Sequence, residues 1–237
     1  SAARRTSNGR EASRLHKGAR ERTRGTPGTD PLTRTFTDEE LGAIVDEARK
    51  HGLPVAAHAY TDDAVRAFVL AGGRTVEHIQ LASNETLALM KERGVCLDPT
   101  VAAWDVGTRS ANSEVANRAR AMQPRGRDGL VRAVNAGVRI IAGTDMTSDR
   151  LTPSIADELA ELVMAGMTPM QAIRAATSIS AECLGVEGDV GSIRPGLAAD
   201  LVAVASDPRA EIAALKTLAL VVHDGEVVID RLSRDSH

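Results

Sequence analysis

Four stretches of the chain repeat one hydrophobic–polar plan: ARKHGLPVAAHAY, VLAGGRTVEHI, MKERGVCLDPT and VNAGVRIIAGTD. Each passes from a helix end through a glycine into a short apolar run and closes on a polar residue. Glycine just past a helix takes the left-handed conformation that ends it, so a strand can follow at once. Apolar runs this short, rich in β-branched residues and closed by a turn signal, predict strands buried on both faces. Arg139, inside the last run, needs a partner or a way out to water. The helices between are signed at their ends. Thr37 and Glu40 form a capping box ahead of an apolar face of Leu41, Ile44, Val45 and Ala48. Thr61 is placed to cap DDAVRAFVLA. Thr168 is placed to cap PMQAIRAATSISAECL, read as one helix, with Pro169 first and Gln171 third. Strands and helices alternating at this spacing predict βα units on a parallel sheet.

Between Thr100 and Asp145 the rhythm is broken by WDVGTRSANSEVANRARAMQPRGRDG, polar and rich in arginine. It predicts a loop over a site that enters a helix in its second half. Beyond about Gly185 the pattern turns to short β-type runs, GDVGSIRPGLAADLVAVASDP and LALVVHDGEVVI, with Pro-Gly and Asp-Gly turns. VVHDGEVV predicts a hairpin, with His223 at the surface beside its turn. The first thirty residues are crowded with arginine, lack apolar periodicity and read as a basic tail.

At 237 residues the chain has room for one large domain with a small appendage. With 43% apolar and 26% charged residues it is globular. A formal charge of −3 argues against a nucleic-acid surface, and 2% aromatics leave little for stacking bases. No apolar stretch approaches the ~20 residues that span a bilayer. No membrane or nucleic-acid partner is expected, and a soluble cytoplasmic protein is. Cys96 and Cys183 lie in apolar segments without metal-ligand spacing and read as buried thiols of a reducing compartment.

In a parallel β/α barrel, chemistry sits at the C-terminal ends of strands. Three of the four repeats end on an ionisable residue: His58, His78 and Asp145. A carboxylate at a buried strand's mouth is costly unless a cation meets it. Two imidazoles and a carboxylate there form a ligand set for Zn²⁺ or another divalent ion, with a position open for water. Taken singly, each residue has a plainer reading, a hydrogen-bonded histidine or an aspartate helix cap; matched positions in successive units favour the joint one. His51, in the last turn of a helix, suits the dipole and reads as structural. His16 and His237 lie in the tail and at the terminus.

Three stretches carry a family resemblance: VAAHAYTDDAVRAFVLAGGRTVEHI, GVRIIAGTDM and GMTPMQAIRAATSISAECLGVEGDVGSIRPGLAADLVAV. From about Thr26 to Val228 the chain resembles the C-terminal two-thirds of an amidohydrolase-superfamily enzyme, nearest the imidazolonepropionase-like and prolidase-like branch. The resemblance implies an α/β fold: a partial (β/α)8 TIM-like barrel, about strands four to eight, with a small C-terminal β-sandwich portion. The divisions expected are residues 1–25 as an atypical segment, 26–185 as the barrel and 186–237 as the β segment. It implies His58 and His78 as metal ligands from the fifth and sixth strands. Asp145 becomes the eighth-strand carboxylate that binds metal and moves the proton, and Tyr60 a substrate contact.

Departures from the family pattern are also plain. The first-strand His-x-His pair occurs nowhere in the sequence, and the usual Glu-His-Gly is Glu77-His78-Ile79. Lys17 stands where the family carboxylates a lysine into a ligand, yet RLHKGARERTRG is not an apolar strand. A misread or damaged segment before about Gly25 is the expectation. The implied activity is metal-dependent hydrolysis of amide-type C–N bonds in a dipeptide or cyclic amide. Its rival is an inactive fragment, stable only as a homo-oligomer or beside a completing partner.

Overall fold

The computed structural model describes residues 32–145 and 153–232. Its first helix, α1 (Asp38–Lys50), opens on the expected capping box: Thr37 and Glu40 each accept the other's backbone N–H, and Leu41, Val45 and Ala48 are buried. Strand β1 (Ala56–Ala59) follows, then α2 (Asp62–Ala71), β2 (Thr75–His78), α3 (Asn84–Arg93) and β3 (Cys96–Asp98). Gly72 and Gly94 end α2 and α3 at φ 92° and 65°, each a few residues before the next strand. The register of helix end, glycine and strand is therefore as the repeats predict. Thr61 heads α2 without capping it, because its hydroxyl donates to Asp63 instead.

After β3 the structure corrects the sequence reading. The Arg-rich stretch expected to begin as a loop is helical: α4 (Val101–Gly107), then the 24-residue α5 (Ser113–Ala136), capped by Asn112 and running through Pro124. Its buried face is made of Ala116, Ala119, Met122, Gly126, Gly129, Leu130 and Ala133. Helical periodicity is present, but small residues carry it and the arginines between obscure it. Gly129 lets α5 pass close over the end of β2, where a Cβ would stand 3.0 Å from the Ile79 carbonyl oxygen. Strand β4 (Arg139–Ile140) completes a parallel sheet of order β1-β2-β3-β4. Arg139 finds its partner in Glu182.

Helix α6 (Ile155–Met164) is capped by Ser154, and α7 (Pro169–Ala175) by Thr168 with Gln171. The long helix expected from Pro169 to Leu184 is instead two, α7 and α8 (Ser178–Leu184). Side-chain hydroxyls take over carbonyls at the break: Thr177 donates to Ile173 O at 2.8 Å and Ser180 to Ala175 O at 2.6 Å. Such back-bonding competes with the helical ladder and bends it.

A larger correction concerns the cysteines. Both are fully buried, as expected, but Cys96 on β3 and Cys183 on α8 form a disulfide. Their partnership joins positions 87 residues apart, which no local spacing announces. The expectation of a reducing compartment, and with it one support for a cytoplasmic protein, falls away. Among the described residues no helix is long and apolar enough to cross a membrane.

The main core lies between the parallel sheet and its helices, with Val65, Val76, Leu87, Met90, Leu97 and Leu162 among its members. Beyond α8 comes a separate antiparallel sheet, β5 (Leu201–Val204), β6 (Leu218–His223) and β7 (Glu226–Asp230). The β6–β7 hairpin turns on Asp224 and Gly225, at φ 49° and 83°. Two central residues with positive φ suit a tight primed turn, as Asp-Gly predicts.

Candidate functional site

Five non-glycine residues among those described have positive φ, and four of them stand at C-terminal ends of parallel strands: His78 (88°), Ile79 (101°), Thr100 (46°) and Asp145 (48°). The fifth is the hairpin's Asp224. A β-branched residue at such an angle is a steric outlier, and strain of this kind gathers at working sites because packing must hold it there. It marks one rim of the sheet.

At that rim His58 Nδ1 and His78 Nε2 lie 2.8 Å apart. Strand geometry alone would not bring them together. His58 pairs in register with Glu77, and Glu77 with Asp98, so these three share a face of the sheet. His78, next along β2, belongs on the opposite face by alternation. Its left-handed backbone swings the imidazole back towards His58. The ring is then held on several sides: Nδ1 is 2.7 Å from Thr100 Oγ1, and Tyr60 stacks on it at 4.7 Å between centroids and 7° between planes. Trp104 meets it edge-on at 6.4 Å. His78 and Tyr60 are buried, at 2% and 1% exposed, and His58 is half-buried.

Level with His58 across the sheet are two carboxylates that the sequence reading passed over, Glu77 and Asp98. Glu77 accepts from Thr75 Oγ1 at 2.9 Å, and Asp98 accepts from the Gly143 N–H at 2.8 Å. Burial, then the Asp98 charge beside it, pushes Glu77 well above the usual carboxylate range. Burial pushes Asp98 up as well, against the pull of the Gly143 N–H. A signal for Asp98 was available, since it closes the third repeat much as His78 closes the second. Glu77 had none beyond standing next to His78.

Asp145 sits at the end of the chain leaving β4, and its charge raises the pKa values of Glu77 and Asp98. The structure does not draw it into one cluster with the histidines. Among the described residues no three His, Cys, Asp or Glu side chains are grouped so as to hold a metal. Two imidazole nitrogens aimed at each other, with the far nitrogen of one fixed by a hydroxyl, fit a divalent ion as donor chemistry. They supply two positions of a ligand set. Lys17 lies outside the described residues. Tyr60, expected as a substrate contact, is buried at this rim and stacks on His78, with Trp104 edge-on to both rings. His51 and His223 are exposed and paired with Glu47 and Asp200, as structural residues.

One more carboxylate is fully buried. Glu158 of α6 accepts the backbone N–H groups of Val101 and Ala102 at 3.0 and 2.8 Å, closing the start of α4 behind Thr100. Burial outweighs those two bonds and pushes its pKa up to about 8 from the ordinary 4.5. A carboxyl raised on folding stabilises the fold fully below its unfolded pKa, and that contribution is lost as pH rises through the folded one. Relative to Glu158→Gln, the wild type should therefore lose melting temperature between about pH 4.5 and 8. Melts of both proteins across that window check this; a constant difference would mean the carboxyl is not raised.

The amidohydrolase family, as a sequence profile, matches residues 2–228. An uncharacterized protein of Mycobacterium tuberculosis is 34% identical over 203 residues, which cover 82% of this chain and 53% of the relative. Ochratoxinase of Aspergillus niger is 29% identical over 199 residues, covering 82% of this chain and 41% of its own. Among solved structures, a Xaa-Pro dipeptidase with methionine bound in its active site has a TM-score of 0.76 at 32% identity, over 83% of this chain and 50% of that one. The chain spans about half the length of the relatives it matches.

Proposed function

Because the chain belongs to the amidohydrolase family, we propose that it hydrolyses amide-type C–N bonds, in a dipeptide or a cyclic amide, with a divalent metal ion. The parallel sheet is then an arc of a (β/α)8 barrel, and β5–β7 part of a sandwich. The observation that carries the reading is the pair His58 Nδ1 and His78 Nε2, brought face to face by a strained backbone at the sheet's C-terminal rim. His58 and His78 would hold Zn²⁺ or a similar ion, with Asp145 adding a carboxylate from β4 and Lys17 another ligand if carboxylated. The ion would supply Lewis acidity, polarising the scissile carbonyl and acidifying water.

The chain's own groups do the rest. Thr100 Oγ1 accepts a hydrogen bond from His78 Nδ1–H, leaving the Nε2 lone pair for the ion. Tyr60 and Trp104 keep that imidazole from turning. Asp145 takes the proton of the attacking water and delivers it to the leaving nitrogen. Names of the relatives support this substrate class: one solved neighbour is a dipeptidase.

Metal analysis of the purified chain, joined to a hydrolysis screen of dipeptides and cyclic amides, tests the reading. Bound metal with turnover of an amide is the expected result. A folded chain that takes up no Zn²⁺ would instead favour a non-catalytic homo-oligomer. One observation supports that second reading: Val202, Val227 and Val228, on β5 and β7, are each more than half exposed.

A further inference from the structure

Regular pairing of β4 with β3 stops early. Arg139 and Ile140 pair with Cys96 and Leu97, and the Ile141 N–H still donates to the Leu97 carbonyl at 2.8 Å. In a continuing parallel ladder the Gly143 N–H would go next to a backbone carbonyl two residues further along the β3 chain. It goes to a side chain instead, Asp98 Oδ1. The backbone therefore leaves the sheet at a point set by a carboxylate, and two residues later it places Asp145 in a left-handed conformation. Gly143 is suited to this close approach, since a methyl group there would overlap Asp98 Oδ2. Asp98 also stands in register with Glu77, whose neighbour is His78. A single side chain thus spans the rim between the β2 end, which carries His78, and the β4 end, which leads to Asp145.

We propose that Asp98 is a positioning residue: by replacing a backbone acceptor for Gly143 it sets where the β4 chain turns out of the sheet, and so aims Asp145 at the ion held by His58 and His78. The inference rests on the functional reading above. It makes two demands of Asp98. The residue must offer an oxygen at the right distance, and its negative charge is dispensable. Asparagine keeps the oxygen, so Asp98→Asn should preserve the clamp, while Asp98→Ala should release it.

The test uses the full chain and Zn²⁺ alone, titrated calorimetrically into wild type, Asp98→Ala, Asp98→Asn, Asp145→Asn and Asp98→Ala/Asp145→Asn. Partners behind a ligand typically tune metal affinity by about 10–100-fold. Asp98→Ala should weaken Zn²⁺ binding by about that factor and Asp98→Asn by no more than about threefold. The double variant should be no weaker than Asp145→Asn, because Asp98 acts through Asp145. Equal losses in the Ala and Asn variants, or additive losses in the double variant, overturn the proposal. If Asp98→Ala binds like wild type while Asp145→Asn is weakened, the positioning role fails and the site stands. If Asp145→Asn binds like wild type, the site reading itself fails. Should Asp98→Ala not fold, amide exchange in the wild type decides: a protected Gly143 N–H is expected, and one exchanging as freely as an open loop refutes the clamp.

Discussion

Asp145→Asn should lower the rate at which the chain cleaves an amide substrate by about 10²–10⁴-fold, the range for a lost general acid–base. The substitution keeps the shape and removes both the charge and the basicity. Fold stability should hold or rise, since Asp145 no longer adds a negative charge beside Glu77 and Asp98, where it already disfavours their ionised forms. The metal response separates this from a purely structural role. Zn²⁺ should raise the wild-type melting temperature, and the Asn variant should lose most of that rise. An identical rise in both proteins would end the claim that Asp145 touches metal.

Reducing the Cys96–Cys183 bridge should lower the free energy of unfolding by on the order of 4 kcal/mol. The bridge closes 87 residues, and the entropy it removes from the unfolded chain grows with the logarithm of loop length. It fastens the first residue of β3 to α8, on the sheet end opposite the histidines. The effect should therefore appear in stability well before it appears at the rim. Denaturation midpoints with and without reductant, beside a Cys96→Ala/Cys183→Ala variant, measure it. A midpoint that reductant does not move, in a chain shown by thiol titration to start oxidised, would refute the estimate.

These residues also show which parts of the molecule were readable in advance. Helix caps and strand starts were, because Thr37, Thr168, Gly72 and Gly94 act within a few residues of themselves. The hairpin at Asp224-Gly225 was readable for the same reason. Helix α5 was not, because alanine and glycine rather than leucine mark its buried face. The disulfide and the break at Thr177 depend on partners that only the folded chain supplies. At the site, His58 and His78 were legible as polar ends of apolar runs. Their meeting was not, since it needs a left-handed turn that strand alternation argues against. Asp98 closes its own repeat much as His78 does, but what it holds, the Gly143 N–H beyond the end of β4, lies 45 residues on and is visible only in the fold.

Ile79 carries the last consequence. Its left-handed backbone costs about 1–3 kcal/mol, which a glycine there would recover. Yet its side chain is 1% exposed, and burying an isoleucine contributes about 1.5–3 kcal/mol that glycine would forfeit, with a further ~0.5–1 kcal/mol for the freer unfolded chain. Glycine's losses therefore exceed its gain, and the cavity it would leave in the main core adds to them. The side chain of Ile79 thus holds its own backbone in the unfavourable conformation: the core that it fills fixes the turn from which His78 is displayed, and Ile79→Gly would loosen that turn as well as the fold.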